Sequence, residues 1–542
     1  MSVPKFWARP AVSEVNASAH SDTSSELEVI HDGELTYTVA KAHNGSGLTY
    51  QEAVGAPVES KSPLGYHVGW VTVIFLNVNQ MIGTGIFSTP GTILGRTGSI
   101  GLALFYWVIG ILLAVAGFAV YLELASYFPN RSGSEVVYLE QAYPRPKHFF
   151  PISFAFYSVV LSFSASNAIV LSNYLWALAH KTPTDWQVKG VAVAAYTLAA
   201  ICVIAHNKYS LWATNLIGGV KILTLIFISI TGFVVLGGHV PRVSDPGANF
   251  RNAFEGTTTN GNDLSVALVN IIFAFSGYAN AFALVNEIKN PIPTLKRNGA
   301  VAVSIVSVLY ILCNIAYFSA VKVPKETFAQ SKAIAASVFF AAVFGEGRAQ
   351  DALNALVLIS AFGNLLAVLI GQSRLIREIG SLKSYPDGVF FVAMAIGVYI
   401  IRYRQKRLGR GRPAFKAWDI CLIFFLLVQV YTIATPWIPP KGGPYAGEVS
   451  FWYATYAAVG IGVIVLCVIY YVIWMYVIPN WRGYRLRPEI LTVDDEGANT
   501  HRLVKIPVEE LEKWDREHDE AGRLRRRNGV DENGAETGSF GK

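Results

Sequence analysis

Charge is scarce in this chain. Asp, Glu, Lys and Arg make up 15% of its 542 residues, against about 25% in a globular domain. The deficit is uneven: charges crowd into the two ends and the short loops, leaving long uncharged runs between them, which excludes a string of soluble domains. Cysteine is scarcer still, and all four (Cys202, Cys313, Cys421, Cys467) fall inside uncharged runs. They suggest neither a disulfide framework nor a zinc site and read as small buried hydrophobes. Residues 1–67 contain no apolar run of signal-peptide length. No cluster of His, Asp and Glu shares a depth in the apolar runs, so the sequence points to no enzyme, no metal centre and no cofactor. The formal net charge of +7 argues only weakly for nucleic acid, because the basic residues gather beside the ends of apolar runs, where membrane orientation explains them.

What is present is a succession of uncharged runs, at 68–94, 100–122, 149–178, 190–205, 211–236, 264–286, 299–321, 353–373, 389–401, 420–438 and 449–479. Most are long enough to cross a bilayer as a helix, which takes roughly 20 residues. The expected fold is an all-α polytopic membrane protein of about eleven spans, with the lipid bilayer as its first partner. Three regions follow: residues 1–67 as a disordered cytosolic tail, 68–479 as the membrane domain, and 480–542 as a charged cytosolic tail. The last contains VEELEKWDREHDEAGRLRRR, the pattern of an exposed helix with charge pairs four residues apart. The apolar stretch within 325–347 reads as a re-entrant lid or as an interfacial helix.

Basic residues set the orientation. Arg131, Arg145 and Lys147 follow the second run, Lys208 the fourth, Lys289, Lys296 and Arg297 the sixth, and Arg374 and Arg377 the eighth. Even-numbered span ends are therefore cytosolic, and so is the N-terminus. The ninth run breaks the rule, with basic groups on both sides: Arg374 and Arg377 before it, Arg402, Arg404 and Lys406 after it. Either 389–401 is re-entrant or a span is missing near Gly380–Ser384.

The run 68–94 carries Gly83-Thr84-Gly85 at its middle and Pro90-Gly91 soon after. Two glycines one residue apart weaken a helix where lipid requires every backbone group to be bonded internally. Such a break is either a small-residue packing face or an opening onto a protein-lined cavity. The run 264–286 has Ser276-Gly277 at its own centre. Paired breaks in corresponding spans of two halves are the sequence mark of an inverted-repeat transporter with its site at mid-depth, here pairing spans one to five with six to ten. Amides opening the half-helix at Gly85 suit a carboxylate, whereas carbonyls of Phe273, Ala274 and Phe275 suit an ammonium group. A site that takes both charges of a zwitterion implies an amino acid.

Lys221 is the one charged residue well inside an uncharged run. A lysine at the centre of a membrane helix costs roughly 2.5–3.5 kcal/mol on insertion scales and usually faces a cavity or partner; the alternative, snorkelling, is a long reach from this depth. Loss of water favours the neutral amine, so Lys221 is the candidate for coupling to a proton, or else a fixed cation in the place of a sodium ion. Ser360 and Asn364, with Ser162, Ser166 and Asn167, are candidates for a polar path, against a role in helix–helix hydrogen bonds. Glu123 and Glu287 are candidate gates or loop-edge carboxylates. Phe273 and Phe275 either cover the substrate or simply pack.

At these residues the sequence resembles a known family. IGTGIFSTPGTI, FAFSGYANAFALVNEIKNP and YLELASYFPNRSG are similar to the L-type branch of the amino acid–polyamine–organocation superfamily, and the long polar N-terminal tail with FAFSGYANA is most similar to fungal high-affinity methionine permeases. The likeness runs over about 64–487. It implies the LeuT-type fold, two inverted five-span repeats plus two added spans, at the plasma membrane. It further implies a substrate held around Ile82, Gly83, Thr84 and Gly85 and around Phe273, Ala274, Phe275, Ser276 and Gly277, and a lysine at Lys221 standing in for sodium. Tail lysines such as Lys41 and Lys61 become candidate sites for ubiquitin-ligase machinery. The chain departs from the family after IREIG, where the ninth span is absent, in agreement with the charge conflict. The implied function is proton-coupled import of a neutral L-amino acid, methionine first. Exchange of broader neutral specificity and a non-transporting nutrient receptor are the alternatives.

Overall fold

The computed structural model describes residues 28–32, 35–41, 48–52, 66, 68–129, 131, 133–154, 165–205, 207–320, 335–378, 385–408, 413–439, 443, 452–492, 499–518 and 522. Its helices are α1 (Trp70–Met81), α2 (Gly85–Thr97), α3 (Ile100–Tyr127), α4 (Glu135–Ala142), α5 (Ala165–Leu178), α6 (Asp185–Ala205), α7 (Asn207–Leu236) and α8 (Gly261–Phe275). After a 3-10 helix at Asn280–Glu287 follow α9 (Pro291–Ala320), α10 (Ala335–Phe344), α11 (Arg348–Glu378), α12 (Tyr385–Arg407), α13 (Asp419–Ala434), α14 (Thr455–Val472) and the short α15 (Leu511–Glu517). Among the described residues, nine helical segments are long and apolar enough to cross a membrane. The chain is a polytopic all-α membrane protein.

Two of the eleven expected spans are not among the nine. The run 149–178 includes residues outside those described, and its described helix α5 is short. The ninth run lies inside α12, whose end carries Arg402, Arg404, Lys406 and Arg407 and dilutes its hydropathy. The junction Gly380–Ser384 lies outside the described residues, as do Ser162 and the side chain of Ser166.

The helix faces sort by solvent. Trp107, Tyr121, Tyr174, Tyr310, Phe275 and Phe282 are fully buried, and rings of Trp107, Phe275 and Tyr310 meet at centroid distances of 5.1–5.9 Å. Leu198, Leu223, Phe233, Ile420 and Leu427 are more than half exposed. Water would penalise that much uncovered apolar surface, whereas lipid matches it. Turns between spans use local chemistry: Ser99 caps α3 by accepting from the Leu102 amide, and Gly98 ends α2 with φ of 78°.

Helix α10 decides the reading of the 325–347 stretch as far as it is described. Ala336, Phe339 and Phe340 are completely buried, and Phe339 packs its ring 5.4 Å from that of Tyr317. The helix is thus covered by protein, unlike an interfacial helix with one wet face.

Both ends of the chain differ from the expected tails. The N-terminal region holds a three-stranded antiparallel sheet, β1 (Glu28–Asp32), β2 (Leu35–Lys41) and β3 (Leu48–Glu52), in the order β1-β2-β3. Alternation in LTYTVAK supplies the strand signal that the polar composition obscured. At the C-terminal end, β4 (Tyr484–Thr492) and β5 (Asn499–Pro507) form a hairpin. Only Leu511–Glu517 of the charged stretch is α-helical among the described residues; Arg487 ties it to the hairpin through a bidentate pair with Asp515, both contacts 2.8 Å.

Close approach of α7 and α9 depends on Gly232, where a Cβ would collide with the Cβ of Ala316. Gly232→Val should therefore destabilise the membrane domain by about 1–3 kcal/mol. Gly219→Ala on the same helix, with open space around it, should stay within about 0.5 kcal/mol of the parent. Unfolding midpoints of the purified full-length chain in detergent check both.

Candidate substrate site

Helix α1 stops where the glycines begin. Ile82 leaves the helical region (φ −77°, ψ 71°), residues 82–84 are non-helical, and α2 starts at Gly85. Helix α8 stops at Phe275, Ser276 turns extended (φ −61°, ψ 137°), and Gly277 takes φ of +120°, a conformation side chains rarely adopt. Both anticipated breaks are real.

They also interlock. A Cβ on Gly85 would lie 2.8 Å from Cα of Ala274, and one on Gly277 would lie 2.8 Å from the Gln80 backbone. Each break uses a glycine to admit the backbone of the other span. Further bonds cross the same seam: the Ala281 amide donates to Asn77 Oδ1 (2.9 Å), and Asn280 Nδ2 donates to the Leu76 carbonyl (3.2 Å).

A helix that ends in a membrane leaves its last carbonyls without intrahelical donors. Here three other helices supply them. Lys221 of α7 donates from Nζ to the carbonyls of Asn79 (2.8 Å) and Ile82 (2.6 Å). Asn364 of α11 donates from Nδ2 to Asn79 (3.0 Å) and Gln80 (2.8 Å). Tyr310 of α9 donates its hydroxyl to Met81 (2.5 Å), and the same hydroxyl lies 3.1 Å from the Ala274 carbonyl of the second break. Asn364 is itself oriented, because its Oδ1 accepts from Asn167 Nδ2 (2.7 Å) while Asn167 Oδ1 accepts from the Thr84 hydroxyl (2.5 Å). Lys221 is completely buried, and its Nζ meets carbonyls only, with no carboxylate partner among the described residues.

A cavity of about 230 Å³ lies against the seam. Of the anticipated residues, Phe273, Phe275, Ser276 and Gly277 line it, together with Gln80. Ala274 faces away, onto Gly85, and Ile82, Gly83, Thr84 and Gly85 are buried behind the interlock rather than open to the cavity. The three carbonyls expected for an ammonium are not equally available: Phe273 accepts from Ser276 (amide 3.2 Å, hydroxyl 2.8 Å) and Ala274 from Tyr310, leaving Phe275 without an internal donor among the described residues.

The remaining candidates separate. Asn364 joins the site, while Ser360 is buried with its hydroxyl unbonded among the described residues. Glu123 is fully buried in a bidentate pair with Arg402 (both contacts 2.6 Å) and accepts from the Ala417 amide (2.7 Å); it fastens α3 to α12 and to the segment before α13 rather than touching the breaks. Glu287 closes the 3-10 helix, its carbonyl accepting from the Val68 amide (3.3 Å). Tyr310 was not anticipated. It is one of several aromatic residues in an apolar run, and nothing local distinguishes its bonded hydroxyl from a packing ring.

The family profile described as amino acid permease matches residues 68–390. The high-affinity methionine permease of Saccharomyces cerevisiae is 33% identical over 77% of this chain and 81% of its own length. The low-affinity methionine permease of the same organism is 24% identical over 91% and 98%, and the b(0,+)-type amino acid transporter 1 of Mus musculus 26% identical over 71% and 85%.

Tyr310→Phe removes one hydroxyl and keeps the aromatic packing, so it should cost about 1–3 kcal/mol of stability through the carbonyls it abandons. Tyr317 is equally buried but its hydroxyl has no partner among the described residues; Tyr317→Phe should cost nothing measurable. Thermal unfolding of the two variants side by side makes the comparison.

Proposed function

The chain belongs to the amino acid permease family, and on that premise we propose that it imports a neutral L-amino acid, methionine first, together with a proton, by alternating access across the plasma membrane. The observation that carries the reading is the pair of interlocked backbone breaks with the buried Lys221 Nζ bonded to the carbonyls of one of them. The amides of Thr84, Gly85 and Ile86 open α2 and supply a positive dipole end for the substrate carboxylate. The Phe275 carbonyl and the cavity beside it receive the ammonium group and the side chain. The two yeast relatives are methionine permeases by name, which favours a thioether side chain; the aromatic edges of Phe273 and Phe275 suit polarizable sulfur.

In the state described here the carboxylate end is shut off from the cavity by the contact of Gly85 with Ala274. Binding then requires the two spans to part at that contact, which makes substrate arrival and helix movement one event. Lys221 links this to protons. As an ammonium it holds the carbonyls of Asn79 and Ile82; as a neutral amine it holds them more weakly, and the end of α1 is released. The Glu123–Arg402 pair acts as an inner latch between α3 and α12. On this reading both tails belong to the cytosolic side, which makes Lys41 and Lys61 candidate substrates for ubiquitin-ligase machinery.

Uptake of labelled L-methionine by cells or proteoliposomes should rise at the more acidic of two external pH values. Saturable binding without accumulation would identify a receptor and refute transport. Lys221→Ala should lose the pH dependence while retaining some binding. Gly85→Val, forced against Ala274, should abolish binding; parental affinity in that variant would contradict the carboxylate site.

A further inference from the structure

Part of the cavity wall is not accounted for by the breaks. Glu135, the first residue of α4, lines the cavity, and its Oε1 accepts from the Tyr121 hydroxyl at 2.5 Å. No Lys or Arg pairs with it among the described residues; its compensation is that phenol and the positive end of its own short helix. A partly buried carboxylate on a cavity wall without a cationic partner is costly unless something neutralises it. Tyr121 and Tyr278 from α3 and from the second break and Tyr138 from α4 lie within electrostatic reach of it, and Asp387 of α12 lines the same cavity.

A second, independent feature points to a ligand. Gln429 of α13 lines the same cavity and is 3% exposed, yet its side-chain amide has no hydrogen-bond partner among the described residues; only its backbone carbonyl is engaged, by the Thr432 hydroxyl at 2.8 Å. A carboxamide buried this deeply is normally bonded. Tyr278 lines the cavity as well, with its hydroxyl packed over Gly117.

We propose that this wall is a subsite for a primary ammonium group, with Glu135 as its anionic acceptor and the Gln429 amide oxygen and the Tyr278 hydroxyl as neutral ones. An ammonium carries three donors and no acceptor, and Glu135, Gln429 and Tyr278 together offer it one charged and two uncharged acceptor groups, with the Asp387 carboxylate on the same cavity wall. The apolar lining from Ile272, Phe273 and Phe390 suits an alkyl chain behind it. The ligand class is an alkylamine in its protonated form, free or carried on a larger substrate. The inference uses the cavity alone and stands apart from the assignment of methionine.

The test uses the full-length chain in nanodiscs, with n-butylammonium as the probe and n-butanol as its uncharged counterpart. The parental protein should bind the amine and be stabilised by it, and should discriminate against the alcohol by about tenfold or more, the effect of one charge-assisted hydrogen bond. Glu135→Gln should erase that discrimination and Glu135→Asp should retain part of it. Equal stabilisation by amine and alcohol in the parental protein, which needs no variant to fold, overturns the proposal, as does undiminished amine binding by Glu135→Gln. Amine binding without methionine uptake would leave the subsite standing and remove the transport reading; uptake without amine binding would do the reverse.

Discussion

The structure depends on one requirement: carbonyls released at mid-membrane by the end of α1 must find donors where there is no water. Hydrocarbon offers none, and an unsatisfied carbonyl there costs several kcal/mol. Lys221, Asn364 and Tyr310 meet the need from α7, α11 and α9. Three spans are therefore fixed relative to a fourth by the chemistry of one helix end. The second break is then drawn in through Tyr310, whose single proton serves a carbonyl of either span.

Glycine makes the arrangement possible from the other direction. Gly85 and Gly277 let two backbones touch, so the breaks form a single seam rather than two separate defects. A seam of this kind is stiff while closed and has few intermediate positions, because backbone in contact with backbone cannot yield by rotamer changes. The proposed transport cycle uses that property. Opening the seam exposes amides and carbonyls together, and a zwitterion is the ligand that satisfies both.

Much of this was legible in the sequence, for reasons that can be named. Uncharged runs announce spans because lipid tolerates little else, and Gly83-Thr84-Gly85 and Ser276-Gly277 announce breaks because small residues set so close together weaken a helix. Lys221 stood out because its charge is expensive there. Less was legible where partners are distant in the chain. Tyr310 and the Asn167–Asn364 pair work through contacts across 229 and 197 residues, which no local pattern encodes. The expected ammonium site treated three carbonyls alike, whereas a serine one turn away and a tyrosine from another span claim two of them. The terminal strands were hidden by polar composition, since alternation over five to nine residues is a weak signal. The position of Glu135 on a cavity wall follows from the turn before α4, where Gly133 and Ser134 both adopt positive φ, and not from its neighbours in sequence.

The most direct measurement is an experimental structure of the full-length chain in nanodiscs at saturating L-methionine. The account predicts α1 and α8 interrupted as here, the ligand carboxylate on the amides that open α2, and Lys221 Nζ within hydrogen-bond reach of the Asn79 and Ile82 carbonyls. A continuous helix through residues 82–84, or a ligand bound with Lys221 turned away from those carbonyls, would contradict it.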